Sequence, residues 1–262
     1  ILAGRSQHVV SFELGASARN SSVQFATVDD STGQLPLDQV RYVLDAEYDH
    51  QPHVAMVGVE NTHMPSGGTP WRVEDLAALA QVVGGRPIHL DGARLFNAVV
   101  ATGTSAATYA AHATTVMSCL SKGLCAPVGS LLAGSAAHME VARVERKRLG
   151  GTMRQAGILA AAGLVALDTM IDRLAEDHAR ARVIADAVAA RFPESQYDSA
   201  TCRTNIVAFT HPRARDIVSA LEVSGIMSGT VAPDRVRLVT HADITDNDVA
   251  RTVAAISNLR LP

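Results

Sequence analysis

Three short runs, 54-VAMVGV-59, 87-PIHL-90 and 115-TVMSCL-120, are apolar at nearly every position rather than at every second one. A strand with one wet face alternates. A near-continuous apolar strand is buried on both faces, the habit of parallel strands roofed by helices. Segments with helical spacing lie between the runs. Residues 37–46 follow Pro36, a residue suited to a first helical turn, and 72–83 set Leu76, Leu79 and Ala80 on one stripe. The alternation predicts an α/β fold, a mainly parallel sheet with helices on both faces. Residues 9–12, 23–28 and 128–133 read as further strands.

The texture changes after Gly151. Residues 155–167 and 171–191 read as long helices. Short units follow: strand 205–209, helix 213–223, strand 237–239 and helix 246–259, with Thr245 as the N-cap of the last. The expected division is a large domain over 1–165 and a small α+β domain over 166–262.

Composition narrows the function. The formal net charge is -3, without the basic excess a nucleic-acid surface needs. The three cysteines, Cys119, Cys125 and Cys202, form neither a CxxC pair nor a disulfide framework. No metal site is expected, and a reducing cytoplasm fits best. No signal peptide is expected from the first residues, where no apolar run follows Arg5. The longest apolar run, 158–167, is about half of the ~20 residues a membrane span needs, so no membrane partner is expected.

In open α/β sheets, ligands sit beyond the carboxyl ends of the strands. There the sequence delivers 60-ENTH-63, 91-DGAR-94 and 121-SKG-123. Each residue has an ordinary reading alone: Asp91 as a helix N-cap, Arg94 as its surface partner, His63 as a loop donor, Lys122 as a solvated turn lysine. Together they suggest an amine nucleophile. A free lysine titrates near 10.4, and a dry strand mouth lowers the cost of its neutral form. Such an amine forms a Schiff base with an aldehyde. The common aldehyde partner is pyridoxal 5'-phosphate, whose ring nitrogen wants a carboxylate. Lys122 and Asp91 suit those two roles. Phosphoryl transfer, with Asp91 on a metal, lacks any GxxxxGK[ST] loop.

The blocks 60-ENTH-63, 89-HLDGARLFNA-98, 119-CLSKGLCAPVGSLLAG-134, 150-GGTMRQAGILAAAGLVAL-167 and 236-VRLVTHADIT-245 stand in one order. In this set the chain resembles the threonine aldolase family, pyridoxal-phosphate enzymes of the aspartate-aminotransferase fold. The resemblance implies that Lys122 is the Schiff-base lysine, that Asp91 holds the pyridine nitrogen, and that Arg94 contacts the cofactor's phenolic oxygen side. It implies that Arg237 grips the substrate carboxylate, and that Arg154 reaches cofactor phosphate across a subunit interface. His8 matches a ring-stacking histidine. His50 matches a histidine near the substrate hydroxyl, so His50 or His63, or a water they hold, would take the hydroxyl proton.

The implied reaction is retro-aldol cleavage of L-threonine or L-allo-threonine to glycine and an aldehyde. Another β-hydroxy amino acid, or a non-catalytic chain with this fold, are the alternatives. The implied assembly is a homodimer or homotetramer with its site at the interface. Thr152 and Met64 depart from the family pattern. The family also carries an upstream segment, with a Ser-Asp-Thr motif and a Ser-Gly-Thr loop that binds phosphate at a helix N-terminus; the residues before His8 contain neither motif.

Overall fold

The near-continuous apolar runs become the centre of one sheet. The computed structural model describes residues 1–48 and 50–261. Strands β1 (Leu2–Gly4), β2 (Ala26–Val28), β3 (Val57–Glu60), β4 (Ile88–Gly92), β5 (Thr115–Cys119) and β6 (Ser130–Gly134) form that sheet in the order β2-β1-β3-β4-β5-β6. All neighbours pair parallel except β5 and β6, which are antiparallel. The register sets Val59, Leu90 and Val116 abreast on one face and Glu60, Asp91 and Met117 abreast on the other. This is the period-two consequence of the pleat.

Helices α1 (His8–Ser11) and α2 (Ala16–Ser21) follow β1, and α3 (Leu37–Asp45) follows β2. Then come α4 (Val73–Val82), α5 (Leu95–Thr102) and α6 (Ala106–Ala110), placed between the parallel strands, and α7 (Ala136–Arg148) after β6. The Val59 face packs with Val40, Leu76, Leu79, Leu95 and Tyr109 from α3 to α6 into one core. Inside it the Tyr109 hydroxyl donates to the Trp71 carbonyl at 2.7 Å. On the other face α1 sits over Gly58 and Glu60, held by the Gln7 amide and the His8 N–H.

Helices α8 (Gly157–Thr169) and α9 (Leu174–Arg191) lead to β7 (Ile206–Thr210), α10 (Ala214–Val223), β8 (Gly229–Ala232), β9 (Arg235–Val239) and α11 (Asp246–Ser257). The three strands form an antiparallel sheet in the order β7-β9-β8. Val236 and Leu238 enter a second core with residues of α9, α10 and α11. A smaller cluster of Leu120, Leu124, Ala126, Ala166 and Leu174 lies at the junction, so the expected division after residue 165 falls inside α8. Among the described residues, no helix is long and apolar enough to cross a membrane.

Two expectations need correction. Residues 9–12 are not a strand: 8–11 form α1, because the Glu60 carboxylate takes the His8 N–H and leaves that backbone no sheet edge to join. The strand lies upstream, at Leu2–Gly4, and of residues 23–28 only Ala26–Val28 pair with it. Thr245 is the N-cap of α11, in a full capping box with Asp248. Its hydroxyl accepts the Asp248 N–H, and the Asp248 carboxylate accepts the Thr245 N–H. Replacing Thr245 with Ala is expected to cost about 1 kcal/mol. Urea melts would show this as a lower midpoint at an unchanged slope.

Candidate active site

The strand register brings Glu60, Asp91 and Met117 level, and Cys119 follows on the same face. Beyond β5 the chain turns tightly. The Cys125 N–H donates to the Lys122 carbonyl at 2.9 Å, and the Ala126 N–H to the Leu120 carbonyl at 3.0 Å. Gly123 lies within this turn, packed on α5 and α9. A Cβ there would stand 2.8 Å from Leu174 Cδ2 and 3.4 Å from Asn97 Oδ1, so a side chain would push the turn outward. The glycine lets the Lys122 turn seat against α5 and α9.

β9 supplies a cation from the other side. Its alternation sends Val236 and Leu238 into the second core, and Arg237 to the opposite face. On that face Val239 packs with Met64, Ile206 and Ala208. Arg237 therefore meets Asp91, Arg94 and Lys122 in a cleft of about 550 Å³ between the two cores. His8, Glu60 and Thr62 complete the wall toward α1. A larger hollow of about 740 Å³ lies at the opposite ends of the strands, and among the described residues its lining holds no carboxylate, lysine or arginine. The smaller cleft is the candidate site, because it gathers carboxylate, amine and guanidinium groups.

Asp91 accepts the Ala93 N–H at 3.1 Å through one oxygen, and it caps no helix. Arg94 occupies the N-cap position of α5 instead. Its Nε is buried without a hydrogen-bond partner among the described residues. Burial, and then the Arg237 guanidinium nearby, push Arg94 below the usual guanidinium range. Lys122 is exposed at the mouth and has no ion pair among the described residues. Two guanidinium groups and an amine thus share one cleft, which suits anionic groups on whatever binds there.

Glu60 ties the wall together. Its carboxylate accepts the His8 N–H at 2.7 Å and the Met64 N–H at 2.9 Å. Burial pushes its pKa up. His8 is half-exposed over the cleft, its Nδ1 2.8 Å from Glu13 Oε1 and its ring stacked on Phe12 at 5.1 Å.

Three expected residues are not brought into the cleft. His63 is 1% exposed and both ring nitrogens are engaged. Nε2 lies 3.1 Å from Asp30 Oδ2, and Nδ1 lies 2.9 Å from Ser66 Oγ. It is a strut between the end of β2 and the loop after β3, outside the cleft lining. His50 is exposed in the segment between α3 and β3, beside Tyr48. That segment enters β3 at its N-terminal end, whereas the cleft lies beyond the C-terminal ends. Arg154 is exposed between α7 and α8, outside the lining.

Reading the strand ends alone left Glu60 and Thr62 without roles. Met117 and Cys119 could have been found by counting alternate positions from Asp91's face. Thr230 and Val231, from β8, carried no strand signal.

The residues present fit the ring end of pyridoxal phosphate. An unpaired amine is available for the aldehyde, a carboxylate with a spare oxygen for the ring nitrogen, and an unsatisfied guanidinium N–H for a ring oxygen.

Comparison with known proteins agrees with this chemistry. Residues 1–209 match the family described as beta-eliminating lyase. The chain is 34% identical over 258 residues to a low-specificity L-threonine aldolase of Escherichia coli strain K12, covering 97% of this chain and 75% of that protein. It is 32% identical over 271 residues to low-specificity L-threonine aldolase 1 of Arabidopsis thaliana, covering 100% of this chain and 75% of that protein. In three dimensions it is similar to the threonine aldolase of Leishmania major, with a TM-score of 0.77 and 19% identity, covering 97% of this chain and 75% of that one.

The strut under the wall carries a pH signature. Burial would raise the Asp30 carboxyl, but hydrogen bonds from His63 and Ser6 hold it below its ordinary value of 3.8. A lowered carboxyl stabilises the fold above its unfolded pKa, and that contribution is lost as pH falls through the folded value. Urea melts of wild type from about pH 3 to pH 7 should show this acid-side gain as pH rises. Asp30→Asn should be less stable at neutral pH and should lack that gain.

Proposed function

Because this chain belongs to the beta-eliminating lyase family of pyridoxal-phosphate-dependent lyases, we propose that it cleaves the Cα–Cβ bond of threonine, allo-threonine or a related β-hydroxy-α-amino acid, releasing glycine and an aldehyde. The observation that carries this reading is the meeting of Asp91, Arg94 and Lys122 with Arg237 in one cleft. The large domain contributes the groups suited to a pyridine aldehyde. The small domain contributes a separate fork for a carboxylate.

In this reading Lys122 would hold the cofactor through its aldehyde carbon, Asp91 would bond the ring nitrogen, and Arg94 would bond the ring oxygen. The bound cofactor supplies an electron-withdrawing ring able to take up the electron pair left at Cα. Arg237 fixes the substrate carboxylate by a two-pronged hydrogen bond, which fixes the orientation of the Cα–Cβ bond. His8, or a water it holds, takes the β-hydroxyl proton. It lines the cleft, while His63 is locked and His50 lies at the far strand ends. Glu60 and Glu13 keep His8 in place through its backbone and its Nδ1.

The same reading places a second copy of the chain against the β6–α8 region. Leu131, Leu132, Val141, Val144, Ile158 and Leu164 are exposed there, an apolar stretch larger than a lone surface residue requires. A homodimer or homotetramer would cover it and bring Arg154 toward a neighbouring cleft.

Lys122→Ala should lower turnover about 100-fold or more, the scale set by removing a reacting group. Borohydride reduction with the cofactor should label Lys122 in wild type, and no residue specifically in the variant. Full aldolase turnover by Lys122→Ala would sink the assignment. Arg237→Lys loses the two-pronged geometry, and a charged hydrogen bond is worth about 1.5–3 kcal/mol. That predicts KM for threonine raised about 10- to 100-fold with a smaller change in kcat.

A further inference from the structure

Two polar atoms of the cleft wall are buried without a hydrogen-bond partner among the described residues: Arg94 Nε and Thr62 Oγ1. Arg94 already has a place in the proposed function. Thr62 has none. It is 3% exposed, and it lines the cleft beside Asp91 and Arg94.

Its neighbours hold the loop without it. The Asn61 side-chain oxygen accepts the Trp71 N–H at 3.2 Å. The His63 N–H donates to the Thr69 carbonyl at 2.9 Å, and the Met64 N–H to Glu60. The Thr62 hydroxyl adds nothing to this fastening, yet its burial carries the cost of desolvating a polar group. Valine has the same shape and would avoid that cost. A hydroxyl kept at such a position, in the wall of a cleft, is accounted for by a partner that arrives with the ligand. Arg94 beside it only donates, so an acceptor oxygen satisfies both.

We propose that the Thr62 hydroxyl is a ligand-binding group of this cleft, hydrogen-bonding a hydroxyl or phenolate oxygen of the bound molecule beside Arg94. The inference rests on the proposed function, which brings two oxygens of this chemistry: the ring oxygen of the cofactor and the β-hydroxyl of the amino acid.

Thr62→Val and Thr62→Ser separate the possibilities. Each protein is stripped of cofactor, melted, and titrated with pyridoxal phosphate while the visible absorbance is followed. The loaded proteins are then titrated with glycine, which lacks the hydroxyl, and with threonine. Stripped Thr62→Val should melt at or above the wild-type temperature, since among the described residues the hydroxyl has no hydrogen bond to lose. A cofactor dissociation constant raised about tenfold, the scale of one hydrogen bond, assigns the hydroxyl to the ring oxygen. Unchanged cofactor binding, with threonine weakened about tenfold relative to glycine, assigns it to the substrate. Thr62→Ser should restore either effect.

A stripped Thr62→Val protein that melts lower than wild type overturns the proposal. So does one that binds cofactor and both amino acids within about twofold of wild type. Folded wild type that fails to bind pyridoxal phosphate at all overturns the proposed function, and this inference with it.

Discussion

Hydrogen bonds across β3, β4 and β5 set Glu60 opposite Asp91 and Asp91 opposite Met117. In a parallel sheet a slip of one residue would turn each of these side chains into the apolar core. The Val59, Leu90 and Val116 face packs against Leu76, Leu79 and Tyr109 and forbids that slip. The level at which the carboxylates emerge is therefore decided by core packing on the far side of the sheet. The same register carries β5 to the turn that presents Lys122.

The cleft needs a second wall, and polar contacts at the junction hold it there. The Asn97 amide donates to Asn205 Oδ1 at 3.3 Å and lies 3.0 Å from His178 Nε2. The Asn205 amide donates to the Thr240 carbonyl, and the Thr240 hydroxyl to the Asp177 carbonyl. Thr204 reaches across to the Gly68 carbonyl at 2.8 Å. These groups are buried, so losing one partner leaves the other unsatisfied, and the penalty favours a single relation between α5, α9 and β9. Arg237 is held at one distance from Asp91 and Lys122 as a result. Burial, and then the neighbouring Arg237 guanidinium, depress Arg94, and an anionic ligand would relieve the crowding of like charge.

Much of this could be read along the chain. Near-continuous apolar runs identified β3, β4 and β5, and polar residues just past them identified Asp91, Arg94 and Lys122. The Thr245 cap was legible because its partner Asp248 is three residues away. The short α1 was not, since Val9 and Val10 favour strands, and the carboxylate that draws this backbone into a helix lies 52 residues further on. Strand β8 was hidden for a related reason: its pairing with β9 includes an irregularity between Thr230 and Ala232.

The histidines divide the two kinds of knowledge most clearly. By itself the sequence determined which chemical groups stand at the strand ends, because strand periodicity and strand termination are local properties of a few residues. Only the tertiary structure decided which imidazole faces the cleft. His63 is taken by Asp30, 33 residues earlier in the chain, and His50 sits where the chain enters the sheet rather than where it leaves. His8, on a helix fastened to Glu60, is the one turned toward the ligand space. A side chain's surroundings are set by contacts between distant segments, and those exist only once the core has closed.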